Sequence, residues 1–599
     1  MQSKPIRGWM GQMVVLALAA LAAGIAPAQA AAEPDPRDDA SPWGMCSGAE
    51  WSGDFPKFNP LLDQAGVKWI RLWNEWAGIQ PKPGQWDWSV TDKIVADAKA
   101  NHLRILPAWC YFAPWASADG GTRKGPVKDM QFWRDYVAAS VARYKADIKY
   151  WEVWNEFNGS FYEGPDKPQA YADLVVAAYD AAKKADPTAK VGMSVASSDI
   201  GFLDLAIKAG AANHFDFICI HPYENLDAAR HGDEMGFLGL AATLRQMLAA
   251  NRQPVDTPIW LTEVGGVAPV KAEPAPDAKQ ASLLAKAYLL SLAQGFQKVF
   301  WFEVRGPAYG SGTDFGVIRP DWTPRPSYTA MKTLTARLGP EPKVLGWLNL
   351  GKGGYGFVFK GKEGDVLAAW APPGKENKAA FAAAVKVTDL AGQERTLPAG
   401  QELVLTNAPV LVTGLPAGLV KAARANQGKP FPWGGDYAKA KAVACRLGEV
   451  NVDAGLRQIF LRPDHEGRMI PATVAGAPCR RVVGKDKDNN FGYFRADTGF
   501  VPFGTQALDI TVVARRASPE PAAEVALTYE TREGYKDFQK GGERWRIPAG
   551  DGWQEHTWRV TDACFANKWG WHVGLVATGE TNGFLVKEVR MKKVAAPAK

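Results

Sequence analysis

From Trp43 to Leu338, short apolar runs alternate with stretches whose apolar residues recur at helical spacing. Residues 43–46, 67–73, 103–109, 148–154, 190–195, 215–221, 258–262 and 298–302 read as strands. Amphipathic stretches at 89–101, 132–144, 169–185, 236–251, 280–294 and 327–338 read as helices between and after them. Eight strand–helix repeats over this length predict an α/β fold, a (β/α)8 TIM barrel. Past Gly339-Pro340 the pattern changes. Residues 355–359, 365–371, 383–389 and 402–412 read as strands between Gly, Asn, Lys and Pro turns, a small all-β unit ending near Leu415-Pro416. Further strands are expected at 491–495, 507–515, 524–530, 544–547, 555–560, 572–576 and 584–592. Alternation in Leu508-Asp-Ile510-Thr-Val512 gives a strand with one buried and one wet face, as in a β-sandwich or jelly roll.

With 599 residues the chain is too long for one core. The expected division is a signal peptide at 1–30, the barrel at 31–340, a small β-domain at 341–418, a linker at 419–434 and a β-sandwich at 435–599. The start supports export from a bacterial cell to the periplasm or beyond. Lys4 and Arg7 precede the apolar stretch 13–25, and Ala28-Gln29-Ala30 is a small-residue cleavage site. That stretch is too short for a membrane span, and no second one follows. Cleavage lowers the net charge from +7 to +5 by removing Lys4 and Arg7. The residual positive charge is spread along the chain, with no Lys/Arg block to suggest nucleic acid.

The six cysteines are Cys46, Cys110, Cys219, Cys445, Cys479 and Cys564. Export permits disulfides, and Cys445 with Cys479 is the pairing the C-terminal part suggests; Cys110 and Cys219 read equally as free buried thiols. No cysteine or histidine group has metal-ligand spacing. Tryptophan is abundant, at 24 copies. Most of these should be core, yet an aromatic face also fits the C–H face of a pyranose. Trp553, Trp558, Trp569 and Trp571 mark the last domain as a candidate carbohydrate-binding module, or equally a sandwich with tryptophans in its core.

The candidate chemistry lies at two strand ends, Trp151-Glu-Val-Trp-Asn155-Glu156-Phe-Asn158 and Ile259-Trp-Leu-Thr-Glu263-Val-Gly265. Each delivers a glutamate where a barrel strand meets its loop, the rim that carries chemistry in this fold. Either glutamate alone would pass as solvated. Two carboxylates at one rim are the equipment for cleaving a glycosidic bond with retention, given a separation of about 5–5.5 Å. Such a two-carboxylate hydrolysis needs neither a metal nor an organic cofactor. Asn155, beside Glu156, supplies an amide for a sugar 2-hydroxyl.

These strings resemble the clan A glycoside hydrolases, with Trp-Asn-Glu closing the fourth strand and Thr-Glu the seventh. The 151–158 string is most similar to family 39, and the resemblance spans about Trp43 to Pro416. It implies Glu156 as acid/base and Glu263 as nucleophile. Arg71 matches the clan arginine near the nucleophile, with a buried ion pair to Glu152 as the alternative. His221 and Tyr223, in His-Pro-Tyr after the sixth strand, match positions that orient the acid and hydrogen-bond the nucleophile. Trp301 either floors the central subsite or packs the barrel, leaving Phe302 or Glu303 to the cleft. The third strand ends Trp109-Cys-Tyr-Phe-Ala-Pro-Trp115 without the clan histidine, so Trp109 and Trp115 are expected in an aromatic-walled cleft. Trp73-Asn74-Glu75-Trp76 repeats the motif on the wrong strand, and Phe157 stands where family 39 has proline.

The reading that follows is a retaining hydrolase of β-linked glycans. It leans endo-acting because Tyr111, Phe112 and Trp115 suggest several subsites. The candidate substrates are xylan, mannan- or glucan-type chains and bacterial exopolysaccharide. A transglycosylase with the same intermediate, or an inactive polysaccharide-binding barrel, is the alternative. Residues 309–314 are expected as a lid or wall, and a monomer is the default.

Overall fold

The computed structural model describes residues 40–47, 53–306, 310, 312–351, 353–374, 377–459, 467–484, 486, 490–518, 523–537, 544–577 and 583–595. The expected signal peptide lies outside them.

The eight expected strands form one parallel sheet: Trp43–Cys46, Trp69–Arg71, a third strand broken at Pro107 into Arg104–Leu106 and Ala108–Trp109, Tyr150–Val153, Lys190–Ala196, Phe217–His221, Ile259–Val264 and Lys298–Trp301. The two halves of the third strand stand at the two ends of the hydrogen-bonded order, which closes the barrel. Side chains alternate along a strand, so inward positions are two residues apart. Trp69, Tyr150, Phe217, Trp260 and Phe300 pack as one aromatic layer inside the barrel. Two residues further along four of these strands stand Arg71, Glu152, Cys219 and Thr262, and His221 follows Cys219 by two more. A polar layer thus sits directly above the aromatic plug. Outward residues such as Trp109, Trp151 and Trp301 pack against the helices. With both faces buried, the strands read as continuous apolar runs.

The region after the sixth strand is more divided than its periodicity predicts. Three helices occupy it, Tyr223–Arg230, Glu234–Leu238 and Leu240–Ala250. Of the expected lid, residues 309 and 311 lie outside the described residues. Its end, Thr313–Asp314, pairs with Ala268–Pro269 after the seventh strand, and Asp314 is ion-paired to Arg325. The described end is therefore a fixed wall.

A six-stranded antiparallel sheet follows the barrel's last helix, Pro326–Leu338. It holds the expected strands 355–359, 365–371 and 383–389 and adds Lys343–Asn349 and Glu394–Leu397; the expected strand 402–412 is two, Val410–Thr413 in this sheet and Glu402–Leu405 paired with Asn377–Ala380 in a separate two-stranded sheet. The expected linker is ordered structure instead. Ala417–Ala425 is a helix, and Trp433 packs on Tyr355 and Phe357, because its aromatic residues complete that sheet's apolar face. The last domain, from Ala442–Arg446 to Phe584–Lys593, is one antiparallel strand network with its own core. Leu508, Ile510 and Val512 are buried there as their alternation predicts. The last strand runs on to Lys593, and 596–599 lie outside the described residues.

None of the six cysteines forms a disulfide. The expected Cys445–Cys479 bridge does not form; Cys445 Sγ faces Asp453 Oδ1 at 3.5 Å and Cys479 Sγ faces the Ala472 carbonyl at 3.4 Å. Among the described residues no helix is long and apolar enough to cross a membrane.

The last domain seats on the barrel through buried charge. Asp233 pairs with Arg457 at 2.7 Å and with Arg495, Asp204 with Arg532 at 2.8 Å, and Asp199 with Lys568 at 2.8 Å. These barrel acids follow the fifth and sixth strands, so this domain braces that side of the rim.

Candidate active site

The polar layer converges on Arg71. Its Nε donates to Glu152 Oε2 at 2.7 Å, Nη1 to Glu263 Oε1 at 2.5 Å and Nη2 to Asn155 Oδ1 at 2.9 Å. One buried guanidinium thus joins a barrel-interior carboxylate to two rim residues. The two alternatives for Arg71 coexist, because its fork is wide enough for both carboxylates. Burial alone would lower Arg71, but Glu152 and Glu263 hold it well above its ordinary value. Glu263 Oε2 accepts from Tyr223 Oη at 3.0 Å, so each oxygen of this carboxylate has its own donor.

Glu156 stands across from this pair. The chain leaves the fourth strand with Trp154 at φ 66° and Glu156 at φ 53°, both left-handed. Such residues cost about 1–3 kcal/mol each and persist only where the surroundings fix them. Asn158 anchors this turn by accepting from the Ala196 amide at 2.8 Å. Glu156 Oε1 meets His221 Nδ1 at 2.9 Å, while His221 Nε2 faces Thr262 Oγ1 at 3.0 Å. Thr262 Oγ1 donates to Glu152 Oε1 at 3.0 Å, which closes the network back to Arg71. An oxygen of Glu156, a nitrogen of His221 and an oxygen of Glu263 all lie within 4.8 Å of one another. Two carboxylates this close match the spacing that retention needs.

A catalytic acid works best with a raised pKa, and here the proton is held elsewhere. Burial would raise Glu156, as an acid catalyst wants, but the hydrogen bond and charge of His221 and the Arg71 charge outweigh it, and its carboxyl is lowered. Burial would lower His221, but the Glu263 charge and hydrogen bonds to Glu152 and Glu156 raise it to about 9. Glu152, despite its burial, is lowered to about 2 by Arg71 and His221. At neutral pH the mobile proton therefore rests on His221, one hydrogen bond from Glu156.

A cavity of about 800 Å³ opens beside Glu263. Asn74, Glu75, Tyr111, Arg123, Asn155 and Phe302 line it. Tyr111 Oη accepts from Asn155 Nδ2 at 3.1 Å, and the Arg123 guanidinium lies 5.7 Å from the Tyr111 ring centre and pairs with Glu75. The structure thus brings Arg71, Asn155, Glu156, His221, Tyr223 and Glu263 together.

Trp109 and Trp115, expected in the cleft, are elsewhere, and Trp301 takes the packing alternative. Trp109 is fully buried, stacked on Trp151 at 4.8 Å, and Trp301 is fully buried. Both occupy outward positions on their strands, and the inward Phe302 takes the cavity wall. Trp115 packs against Trp76 and Phe132, and its Nε1 donates to the Gln80 carbonyl. Sequence reasoning missed Thr262 and Arg123. The register of Trp260 was the available signal for Thr262. Arg123 follows a Gly-Gly turn that gave no sign of its direction.

No protein-family model matches the chain. Among solved structures, a family 39 glycoside hydrolase from the gut symbiont Bacteroides cellulosilyticus superposes with a TM-score of 0.53 at 21% identity, over 62% of this chain and 80% of that one. The chain shares its fold with that family 39 glycoside hydrolase. A family 39 β-xylosidase from Caulobacter crescentus aligns at 18% identity and TM-score 0.46, over 63% of this chain and 96% of that one. The family 39 enzyme from Xanthomonas axonopodis pv. citri aligns at 17% and 0.44, over 63% and 94%.

Proposed function

We propose that the protein is an exported retaining glycoside hydrolase that cleaves β-linked glycans, with Glu263 as nucleophile and Glu156 as acid/base. The observation that carries this reading is the approach of the two glutamates at the barrel rim, Glu263 held by Arg71 and Tyr223 and Glu156 by His221. In the first step a Glu263 oxygen attacks the anomeric carbon while Glu156 protonates the departing glycosidic oxygen. The products are a glycosyl ester on Glu263 and a free leaving-group sugar. The proton that Glu156 gives comes from His221 Nδ1. Forming the ester removes the Glu263 charge, the largest influence holding His221 up, so the neutral imidazole is then favoured. In the second step Glu156 takes a proton from water and passes it back to His221. The hydroxyl attacks the anomeric carbon, and Glu263 leaves as a carboxylate. Asn155, held by Arg71 and Tyr111, is placed to meet the 2-hydroxyl.

The open cavity and its Tyr111 wall support endo action on a chain of xylan, mannan, glucan or exopolysaccharide type. A monomer exported through residues 1–30 completes the reading. The barrel spans 31–340, the small β-domain 341–418 and the sandwich 435–599. The test is a panel of these polysaccharides and aryl β-glycosides, with product anomers followed by NMR. The β-anomer should appear first and then mutarotate. First release of the α-anomer, or no cleavage across the panel, would contradict the reading.

The proton store also sets a pH dependence. His221 is raised in the folded protein, so its proton is present below about 9 and lost above. The alkaline limb of kcat/KM should therefore lie near 9 and move to lower pH in His221→Gln. A wild-type limb already complete near pH 6 would show that Glu156 titrates without His221.

A further inference from the structure

Two tryptophans are among the large apolar side chains left exposed in the described residues, Trp86 and Trp569. Trp86 stacks on Trp88. Trp569 is 41% exposed, although it sits in a loop held unusually firmly. Buried Glu530 accepts the backbone N–H groups of Ala566, Asn567 and Lys568 at 3.0, 2.9 and 2.8 Å. The Trp569 amide donates to Tyr535 Oη at 3.3 Å.

This loop belongs to the last domain but rests on the barrel rim beside Glu156. Asp199 Oδ2 accepts from Lys568 Nζ at 2.8 Å and from Asn158 Nδ2 at 2.9 Å, and Asn158 is two residues past Glu156. The Ser197 hydroxyl lies against both the Lys568 carbonyl and Glu224, the residue after Tyr223. A Cβ on Gly570 would stand 3.8 Å from Glu224 Cβ, so the loop lies against that helix. A lone exposed aromatic on a surface needs no explanation. An exposed indole carried on a backbone that Glu530 and Tyr535 fix, next to a lysine paired with Asp199, loses less freedom when a ring settles on it than one on a loose loop.

We propose that Trp569 is a sugar-stacking platform that the C-terminal domain contributes to the glycan cleft, serving a sugar on the leaving-group side of the scissile bond. The side follows from chemistry: Glu156 protonates the leaving oxygen, and the Trp569 loop adjoins the Glu156 loop through the Asp199 carboxylate that both contact. The cavity beside Glu263, by contrast, runs toward Glu75 and Arg123. The ligand class is a β-linked chain of several sugars, since a short substrate at the catalytic pair would not extend to Trp569. The inference rests on the hydrolase reading.

Its test compares wild type, Trp569→Ala and Trp569→Phe on whichever of xylan, mannan or β-glucan the wild type cleaves, and on the shortest aryl glycoside it cleaves. Trp569→Ala should raise KM on the polymer about three- to tenfold, the size of one aromatic contact, with kcat unchanged. It should leave the aryl glycoside untouched, and Trp569→Phe should recover most of the loss. Unchanged polymer kinetics, or equal loss on both substrates, would overturn the platform while leaving the hydrolase standing. A wild type that cleaves nothing would overturn both.

Discussion

Glu263→Gln should lower kcat by on the order of 10⁴–10⁶-fold, as expected when the nucleophile of a covalent mechanism is removed. An amide oxygen attacks the anomeric carbon far more weakly than a carboxylate. Glutamine keeps the size and both contacts of the native side chain. Its carbonyl still accepts from Arg71, and its NH₂ faces the Tyr223 oxygen. Arg71 retains Glu152 and Asn155, so no buried charge is left unpaired. The variant should therefore unfold in urea close to wild type. That separates a chemical loss from a structural one. A kcat within tenfold of wild type, in a folded variant, would remove Glu263 from the reaction.

Glu156→Gln should lose about 10²–10⁴-fold, the range for a general acid–base group, and the loss should depend on the leaving group. A dinitrophenolate departs without a proton, so its glycoside should still form the ester and stall there. A sugar or alkoxide leaving group should barely react. In Glu156→Ala, which leaves the room that glutamine fills, azide, a small anion that needs no base, should take the place of the carboxylate and restore turnover of the dinitrophenyl glycoside. The product would be a glycosyl azide. Equal loss on good and poor leaving groups, with no azide rescue, would mean that Glu156 positions substrate and does not move protons. Steady-state kinetics on a leaving-group series makes the distinction.

The site was legible wherever chemistry and strand order agreed. Glu156, Glu263, Arg71, His221 and Tyr223 all stand at strand ends, and the fold brings strand ends together whatever lies between. Side-chain direction was harder to read. Trp301 and Phe302 are neighbours on opposite faces of one strand, and a shift of one residue exchanges core for cleft. Since both faces of a barrel strand are apolar, nothing in residues 298–302 says which side faces inward. Phe300, in the interior aromatic layer, fixes that side only once the sheet is closed. Trp109 was misplaced for the same reason. The proton arrangement was hidden more deeply. It depends on the His221 ring lying between Glu156 and Thr262, and on Glu152 sitting below them, a set of contacts among three strands. The 419–434 segment read as a link because it is basic and contains glycine and proline, yet its aromatic residues were the better guide.

Trapping the covalent intermediate tests the central claim most directly. The wild-type protein is incubated with the dinitrophenyl 2-deoxy-2-fluoro-β-glycoside of the sugar the panel identifies, digested, and the labelled peptide sequenced by mass spectrometry. The account predicts one fluorosugar, carried as an ester on Glu263. A label on Glu156, Glu152 or Glu75, or turnover with no ester on any carboxylate, would contradict it.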